Sequence, residues 1–288
     1  MDKLFVDLHV HTTYSDGSFT PEEVVAAAQK KKLVAIGIAD HDTTDGILPA
    51  LKEGAKRGVE IIPAVELSAE IEGSSEEAHI LGYFIDWENS GFQQQLAVFR
   101  KTRENRAMEM ADRLSGIGID LDRDALLNKV NTTSIGRLHF AKAMVKQGYV
   151  KDIYEAFGKY LIAGKPAYVP KYRLTPEHAI KMIADVGGIP VLAHPFFGSH
   201  VNREFISKLA ESGLLGIEVW HSKHSQNVIE NFTRLAYELG LLVTGGSDCH
   251  GPFGDQPPLV GTLNVPFSIL VELKKRKTSI DRDKKSIH

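Results

Sequence analysis

Leu4-Phe5-Val6-Asp7-Leu8-His9-Val10-His11-Thr12-Thr13-Tyr14-Ser15-Asp16-Gly17 is an apolar run that ends in two histidines spaced i, i+2. Leu4–His9 reads as a strand. Alternate residues of an extended chain point the same way, so the two imidazoles converge on one point, with Asp16 close behind. Comparable runs recur at Val34–Asp40, Ile61–Glu66, His79–Phe84, Ile189–His194, Leu215–His221 and Leu241–Asp248, which makes seven expected strands. Several are almost continuously apolar, as strands covered on both faces are, and helical segments separate most of them. The pattern predicts a largely parallel α/β barrel.

Two helix starts share one wording. Thr20-Pro21-Glu22-Glu23 and Thr175-Pro176-Glu177 each supply a Thr N-cap, Pro at the first helical position and acid in the first turn. The helices Val24–Lys32 and Ala179–Val186 lead to strands that finish in Ala39-Asp40-His41 and Ala193-His194-Pro195. Polar groups therefore arrive at the C-terminal ends of strands, where α/β barrels build their chemistry.

Between residues 91 and 174 the pattern turns helical: Phe92–Ser115, Asp122–Val130, Ser134–Gln147 and Asp152–Leu161, then the loop Gly164-Lys165-Pro166-Ala167-Tyr168-Val169-Pro170. This reads as a helical insertion covering the active site of a discontinuous barrel made of residues 1–90 and 175–270. Residues 97–174 carry 15 Lys and Arg against 8 Asp and Glu, although the whole chain has a formal net charge of −3. A basic segment on an acidic body fits a site whose carboxylates hold cations while Lys and Arg receive an anion; a solvated basic face reads the same way. Residues 271–288 are rich in Lys and Arg, and the expectation for them is a flexible basic tail.

The 288 residues are 43% hydrophobic and 25% charged, which excludes a disordered or fibrous chain. The apolar runs are strand-sized, and the first residues lack a signal-peptide layout. A single cysteine, Cys249, excludes an internal disulfide and points to a reducing cytoplasm. It reads as a small buried hydrophobe.

Five strand ends carry metal-ligand residue types: His9 and His11 with Asp16; Asp40-His41-Asp42; Glu66; His194; and Asp248 with His250. His79 opens a further strand. Singly, each is a common structural residue. Jointly, they crowd polar and charged groups into one rim, a cost that bound cations compensate. Imidazoles and carboxylates with almost no thiolate suit Mn²⁺, Fe²⁺ or Zn²⁺.

Asp7-Leu8-His9-Val10-His11-Thr12-Thr13-Tyr14-Ser15-Asp16-Gly17, Asp40-His41-Asp42-Thr43, Ala193-His194-Pro195 and Gly246-Ser247-Asp248-Cys249-His250 resemble, in order, the four motifs of the PHP (polymerase and histidinol phosphatase) superfamily. The resemblance implies a distorted (β/α)7 barrel with two or three divalent metal ions. It places His9, His11, Glu66 and Asp248 on one metal, Glu66, His79 and His194 on a second, and Asp16, His41 and His250 on a third. Such a centre activates water for attack on phosphorus, with Glu66 and Asp248 holding it. Asp40 or Asp42 either orients the ligand imidazoles or caps the following turn.

Within the superfamily, Ser134–Lys142 and the Gly-Lys-Pro-Ala-Tyr-Val loop resemble the branch that hydrolyses 3′,5′-bisphosphorylated nucleotides and the 5′ ends of short RNAs. Arg137, His139 and Lys165 are thereby candidates for gripping substrate, with helix N-terminal amides beside them. Their alternative roles are surface charge and a helix-capping histidine. His221 and His224 read either as phosphate contacts and proton donors or as structural residues. His178, His200 and His288 fall outside the pattern. Arg103 and Arg106 are expected to pair along their helix with Glu104 or Glu109.

The expected reaction converts pAp to AMP, with trimming of short RNA as an extension. Rival readings are histidinol phosphatase, a phosphotyrosine phosphatase of the same superfamily, and a metal-stabilised module without turnover. An amidohydrolase also opens on His-x-His, but the Glu66 strand and the Asp-x-His ending fit it poorly. No DNA-coating role, membrane or obligatory protein partner is expected.

Overall fold

The computed structural model describes residues 4–71, 77–122, 136–170, 174–195, 201–252 and 257–286. The expected helix Asp122–Val130, His200 and His288 lie outside them, except for Asp122 itself. The chain divides into two compact units, Met1–Gln93 with Leu174–His288, and Gln94–Arg173.

The first unit holds β1 (Phe5–Val10), β2 (Ala35–Ile38), β3 (Glu60–Glu70), β4 (Glu77–Tyr83), β5 (Ile189–Leu192), β6 (Gly216–His221), β7 (Leu242–Gly246) and the short β8 (Val265–Pro266). They form one sheet in the order β7-β6-β5-β4-β3-β2-β1-β8. The sheet curls into a nearly closed barrel: the His11 amide donates to the Cys249 carbonyl at 3.0 Å, and the Asp248 amide to that of His9 at 2.9 Å. All seven expected strands are present. The sheet is less parallel than the sequence predicts, because β4 runs antiparallel to both β3 and β5. Glu70 and Glu77 leave too short a link for the crossover that a parallel pair needs, so the chain turns back as a hairpin.

The barrel's apolar filling includes Val6, Leu8, Ile62, Leu81 and Val191, all at most 1% exposed. Helices α1 (Pro21–Lys30) and α2 (Ile47–Arg57) alternate with the first strands. The Thr20 hydroxyl accepts from the Glu23 amide at 3.2 Å, and the Glu23 carboxylate accepts from the Thr20 amide at 2.8 Å, a reciprocal cap that fixes where α1 starts.

The second unit has its own core. Helix α3 (Ser90–Ser115) runs into it, followed by α4 (Arg137–Lys146), the one-turn α5 (Ile153–Ala156) and a π-helical turn, Phe157–Leu161. Met110, Leu114, Phe140, Met144 and Leu161 are at most 1% exposed and pack together. Arg106 is buried here, its Nε donating to the Val169 carbonyl at 2.8 Å, while Glu109 pairs with Arg113.

The chain returns to the barrel through α6 (Pro176–Asp185), α7 (Arg203–Glu211) and α8 (Gln226–Glu238), and finishes with α9 (Phe267–Ser286). Helix α9 corrects the expectation of a flexible tail. Leu270 and Leu273, one turn apart, enter the barrel core with no exposure, and Lys277 reaches the Gly187 carbonyl at 3.0 Å. Of the lysines that suggested a tail, Lys275 is exposed, while Lys274 is half-buried and pairs with Glu60 at 2.7 Å. Among the described residues, no helix is long and apolar enough to cross a membrane.

Candidate metal centre

The rim gathers all nine expected ligand residues, with Glu66 at the centre of the other eight. This side chain leaves the middle of β3 and is fully buried. Its Oε2 lies 3.2 Å from His9 Nε2, 3.3 Å from His11 Nε2 and 3.3 Å from His41 Nδ1. Its Oε1 lies 2.8 Å from His79 Nδ1 and 3.1 Å from His194 Nε2. Five imidazoles converge on one carboxylate, which has only about four lone-pair directions. Asp248 Oδ1 sits 3.0 Å from His11 Nε2 and 3.5 Å from His9 Nε2.

His9 and His11 turn their Nε2 atoms toward each other at 3.0 Å. Two ring nitrogens at that distance share either a proton or a cation between their lone pairs. The third group forms around Asp16, whose Oδ1 is 3.3 Å from His250 Nε2 and 3.6 Å from His11 Nδ1. The donor atoms fall into three sets, each within 4.8 Å: His9, His11, Glu66 and Asp248; His41, Glu66 and His79; and His11, Asp16, His41 and His250. The first is the set the resemblance implies. His41 belongs to both the second and the third, whereas His194 falls in none of the three and reaches the cluster through Glu66 Oε1. Nitrogen and oxygen donors in this convergent arrangement fit divalent metal ions of the Mn²⁺, Fe²⁺ or Zn²⁺ kind.

Electrostatics shows how much charge the cluster demands. Burial opposes a charged His11, yet hydrogen bonds to Asp248 and Glu66 push it up to about 10. Burial likewise opposes a charged His79, and Glu66 overrides it, raising the ring to about 9. His41 goes the other way: burial, with His11 and His79 beside it, brings it down to about 3 despite Glu66 and Asp16. Burial would raise Glu66 and Asp248, but the surrounding imidazoles hold both carboxyls well below the carboxylate range. The site thus stabilises positive charge strongly but not on every ring, a field that bound cations meet without crowding protons.

The backbone is shaped to bring the donors in. His194, Asp42 and Asp248 adopt φ of 27°, 49° and 55°, left-handed conformations costly for non-glycine residues. Gly246 carries no side chain because β1 passes directly over it: a Cβ there would lie 2.3 Å from the His9 amide nitrogen.

Asp40 caps the loop, accepting from the Thr12 amide at 2.7 Å and the Ser15 hydroxyl at 2.5 Å. Asp42 accepts from the Ser68 amide at 3.2 Å, tying its turn to β3. Cys249 is fully buried. His221 comes to the rim, its Nε2 3.4 Å from Asp248 Oδ2. His224 is buried, held by its Nδ1 at 2.7 Å from the Val219 carbonyl and stacked on Phe232.

The remaining candidates belong to the helical unit. Arg137 lies over the Phe157 ring at 5.9 Å, His139 Nδ1 accepts from the Gly136 amide at 3.1 Å as a helix cap, and Lys165 is exposed. Sequence reasoning passed over Glu218, which contacts His9, and Asp7, whose carboxylate holds the amides of Ser247 at 2.8 Å and Gly261 at 2.9 Å. Glu218 sits in an apolar strand out of step with His221, whereas Asp7 keeps the i, i+2 alternation with His9 but finds its partners far along the chain. The cleft above the cluster encloses about 330 Å³ and is lined by His41, Glu66, Glu77, His79, His194, Lys223, Asp248 and His250.

The sequence profile of the PHP domain matches residues 7–164. The chain is 34% identical over 251 residues to the 3′,5′-nucleoside bisphosphate phosphatase of Chromobacterium violaceum, covering 86% of this chain and 87% of that protein. It is 35% identical over 251 residues to the 5′-3′ exoribonuclease Rnm of Escherichia coli, covering 85% of each. A solved structure from Bifidobacterium adolescentis, assigned as a metal-dependent phosphoesterase, superposes with a TM-score of 0.82 at 31% identity, over 95% of this chain and 96% of that one.

Proposed function

The chain belongs to the PHP domain family and is a metal-dependent phosphoesterase, and we propose that its substrate is a 3′,5′-bisphosphorylated nucleotide such as pAp, from which it removes the 3′-phosphate. The observation that carries the reading is the convergence of five imidazoles and Asp248 around Glu66 beneath an open cleft. A relative similar along most of its length is named for that substrate.

In this reading His9, His11, Glu66 and Asp248 hold one divalent ion, Glu66 with His79 and His194 a second, and Asp16, His41 and His250 a third. Mn²⁺, Fe²⁺ and Zn²⁺ all suit the donors. Bound there, the ions supply water activation and neutralise charge that builds on the phosphoryl oxygens. Glu66, reached by imidazoles at both of its oxygens, and Asp248 would be the acidic donors to those ions. His221, 3.4 Å from Asp248, is the candidate to contact phosphate or to donate a proton to the leaving oxygen. Asp42 steadies the His41 turn through Ser68. His224 is assigned a bracing role by its bond to Val219.

Arg137, His139 and Lys165, with the amides that open α4, are the candidates for binding a phosphate of the substrate. This assignment rests on their charge and on the resemblance of their segments to the bisphosphatase branch. A cytoplasmic location suits a small phosphorylated substrate.

A second reading, trimming of short RNA from its 5′ end, is favoured by the likeness to the Escherichia coli exoribonuclease. Phosphate release with Mn²⁺ present, compared across pAp, 5′-phosphorylated trinucleotides and histidinol phosphate, separates the readings. The expected order puts pAp first; faster turnover of histidinol phosphate overturns the proposal, and faster release of mononucleotides from RNA promotes the second reading.

A further inference from the structure

Glu218 lies inside the barrel with no exposure, one strand away from the nearest expected ligand in sequence. Its Oε1 is 3.0 Å and its Oε2 3.2 Å from His9 Nδ1, and Oε2 also accepts from the His194 amide at 3.0 Å. One carboxylate thus holds the ring of His9, at the end of β1, and the backbone of His194, just past β5. These residues approach Glu66 from different sides, His9 at Oε2 and His194 at Oε1.

The strand is altered to make this possible. Glu218 pairs with Thr244 and Trp220 with Gly245, so β6 spends one residue more than β7 over that interval, a bulge at Val219. In a regular strand Glu218 and Trp220 would share a face. The extra residue changes the alternation: Glu218 and His221, three apart, both reach the cluster, whereas Trp220 lines a separate cleft with Leu4, Phe5, Leu263 and Phe267. Bulges beside active sites commonly re-aim a side chain in this way.

We propose that Glu218 is a positioning residue for the metal centre: it holds His9 with the proton on Nδ1 and the lone pair on Nε2 directed at Glu66 and Asp248, and it fixes the strained turn that presents His194. A carboxylate on the far nitrogen of an imidazole sets its tautomer and raises its strength as a donor. His194, at φ 27°, occupies backbone space that needs such an anchor. The inference rests on the reading of His9 and His194 as metal ligands and is independent of which phosphoester is cleaved.

The experiment compares Mn²⁺ binding by metal-stripped wild-type protein and Glu218→Gln, using calorimetry and elemental analysis of the reloaded protein. Gln keeps the volume but offers one acceptor where two donors wait. A loss of about 10- to 100-fold in Mn²⁺ affinity is expected, the range seen when partners of ligand imidazoles are removed. On any phosphoester the wild type turns over, kcat falls with KM unchanged at subsaturating metal. Full Mn²⁺ affinity in a folded Glu218→Gln overturns the proposal and leaves the phosphoesterase reading intact. Absence of Mn²⁺ binding by the wild type overturns both. If Glu218→Gln does not fold, Glu218→Asp is measured instead: wild-type affinity, or failure of this variant to fold as well, assigns Glu218 to barrel stability and rejects the positioning role.

Discussion

The barrel rim and the helical unit treat polar side chains in opposite ways. At the rim, Glu66, His9 and His11 are fully buried and in contact with one another, so each residue's position is set by several partners. In the helical unit, Arg137 rests on Phe157 and His139 caps its own helix, contacts with near neighbours that leave both half exposed. On the proposed reading, the difference separates two physical tasks. Holding divalent cations needs donors fixed before the ion arrives, whereas receiving a phosphate needs charge at the surface with few constraints on placement.

Breaking the rim has the largest effect. His9→Ala or Asp248→Ala is expected to bring phosphoester hydrolysis to background, a loss beyond the roughly 100-fold that outer partners of a metal centre account for. Elemental analysis is expected to show reduced metal, and chelation of the wild type followed by Mn²⁺ to abolish and restore turnover. Full activity in either variant would dissolve the contrast, because the rim would then be structural too.

The second experiment disturbs the other region. Phe140 is fully buried in the helical unit's core, and Phe140→Ala is expected to cost about 3–5 kcal/mol in denaturant unfolding. Metal content at ambient temperature should stay at the wild-type level. Loss of metal in this variant would show that the centre depends on the helical core, against the division of tasks.

What the sequence made legible follows the same divide. His-x-His was readable because a strand's twofold alternation converts spacing directly into direction; Ala-His-Pro and Asp-x-His were readable as residue types past the ends of β5 and β7, where left-handed backbone at His194 and Asp248 aims the donors. Glu218 escaped because its role depends on a bulge, and Gly-Ile-Glu-Val-Trp-His read with regular alternation separates Glu218 from His221. Asp7 escaped because its partners Ser247 and Gly261 lie across the whole chain. The antiparallel course of β4 was decided by a short link rather than by anything in His79–Phe84. Helix α9 did carry a signal, Phe267, Leu270 and Leu273 at helical spacing, which the surrounding lysines outweighed.

Arg137 offers the sharper test of the exposed region. A charged hydrogen bond to phosphate contributes about 1.5–3 kcal/mol, so Arg137→Ala is expected to raise KM for pAp roughly 10- to 100-fold. Turnover of a small aryl phosphate should not change, and neither should metal content. Equal effects on the two substrates would remove Arg137 from recognition and return it to its packing role over Phe157.

Two helix caps, one in each region, give the smallest effects and the closest control. Thr20 caps α1 in the barrel unit, and Asp152 caps α5 in the helical unit, accepting from the Glu155 amide at 2.8 Å. Either residue replaced by alanine leaves an amide without its acceptor, so Thr20→Ala and Asp152→Ala should each cost about 1 kcal/mol in urea unfolding. Their functional effects should nevertheless differ. Helix α5 leads straight into Phe157, the ring beneath Arg137, so loosening its first turn frees the platform on which the guanidinium rests. Asp152→Ala is therefore expected to raise KM for pAp by about twofold, a few tenths of a kcal/mol, while Thr20→Ala leaves it at the wild-type value. A KM increase in Thr20→Ala of the same size would mean that small losses of stability anywhere reach the substrate, and that the exposed region holds no task of its own.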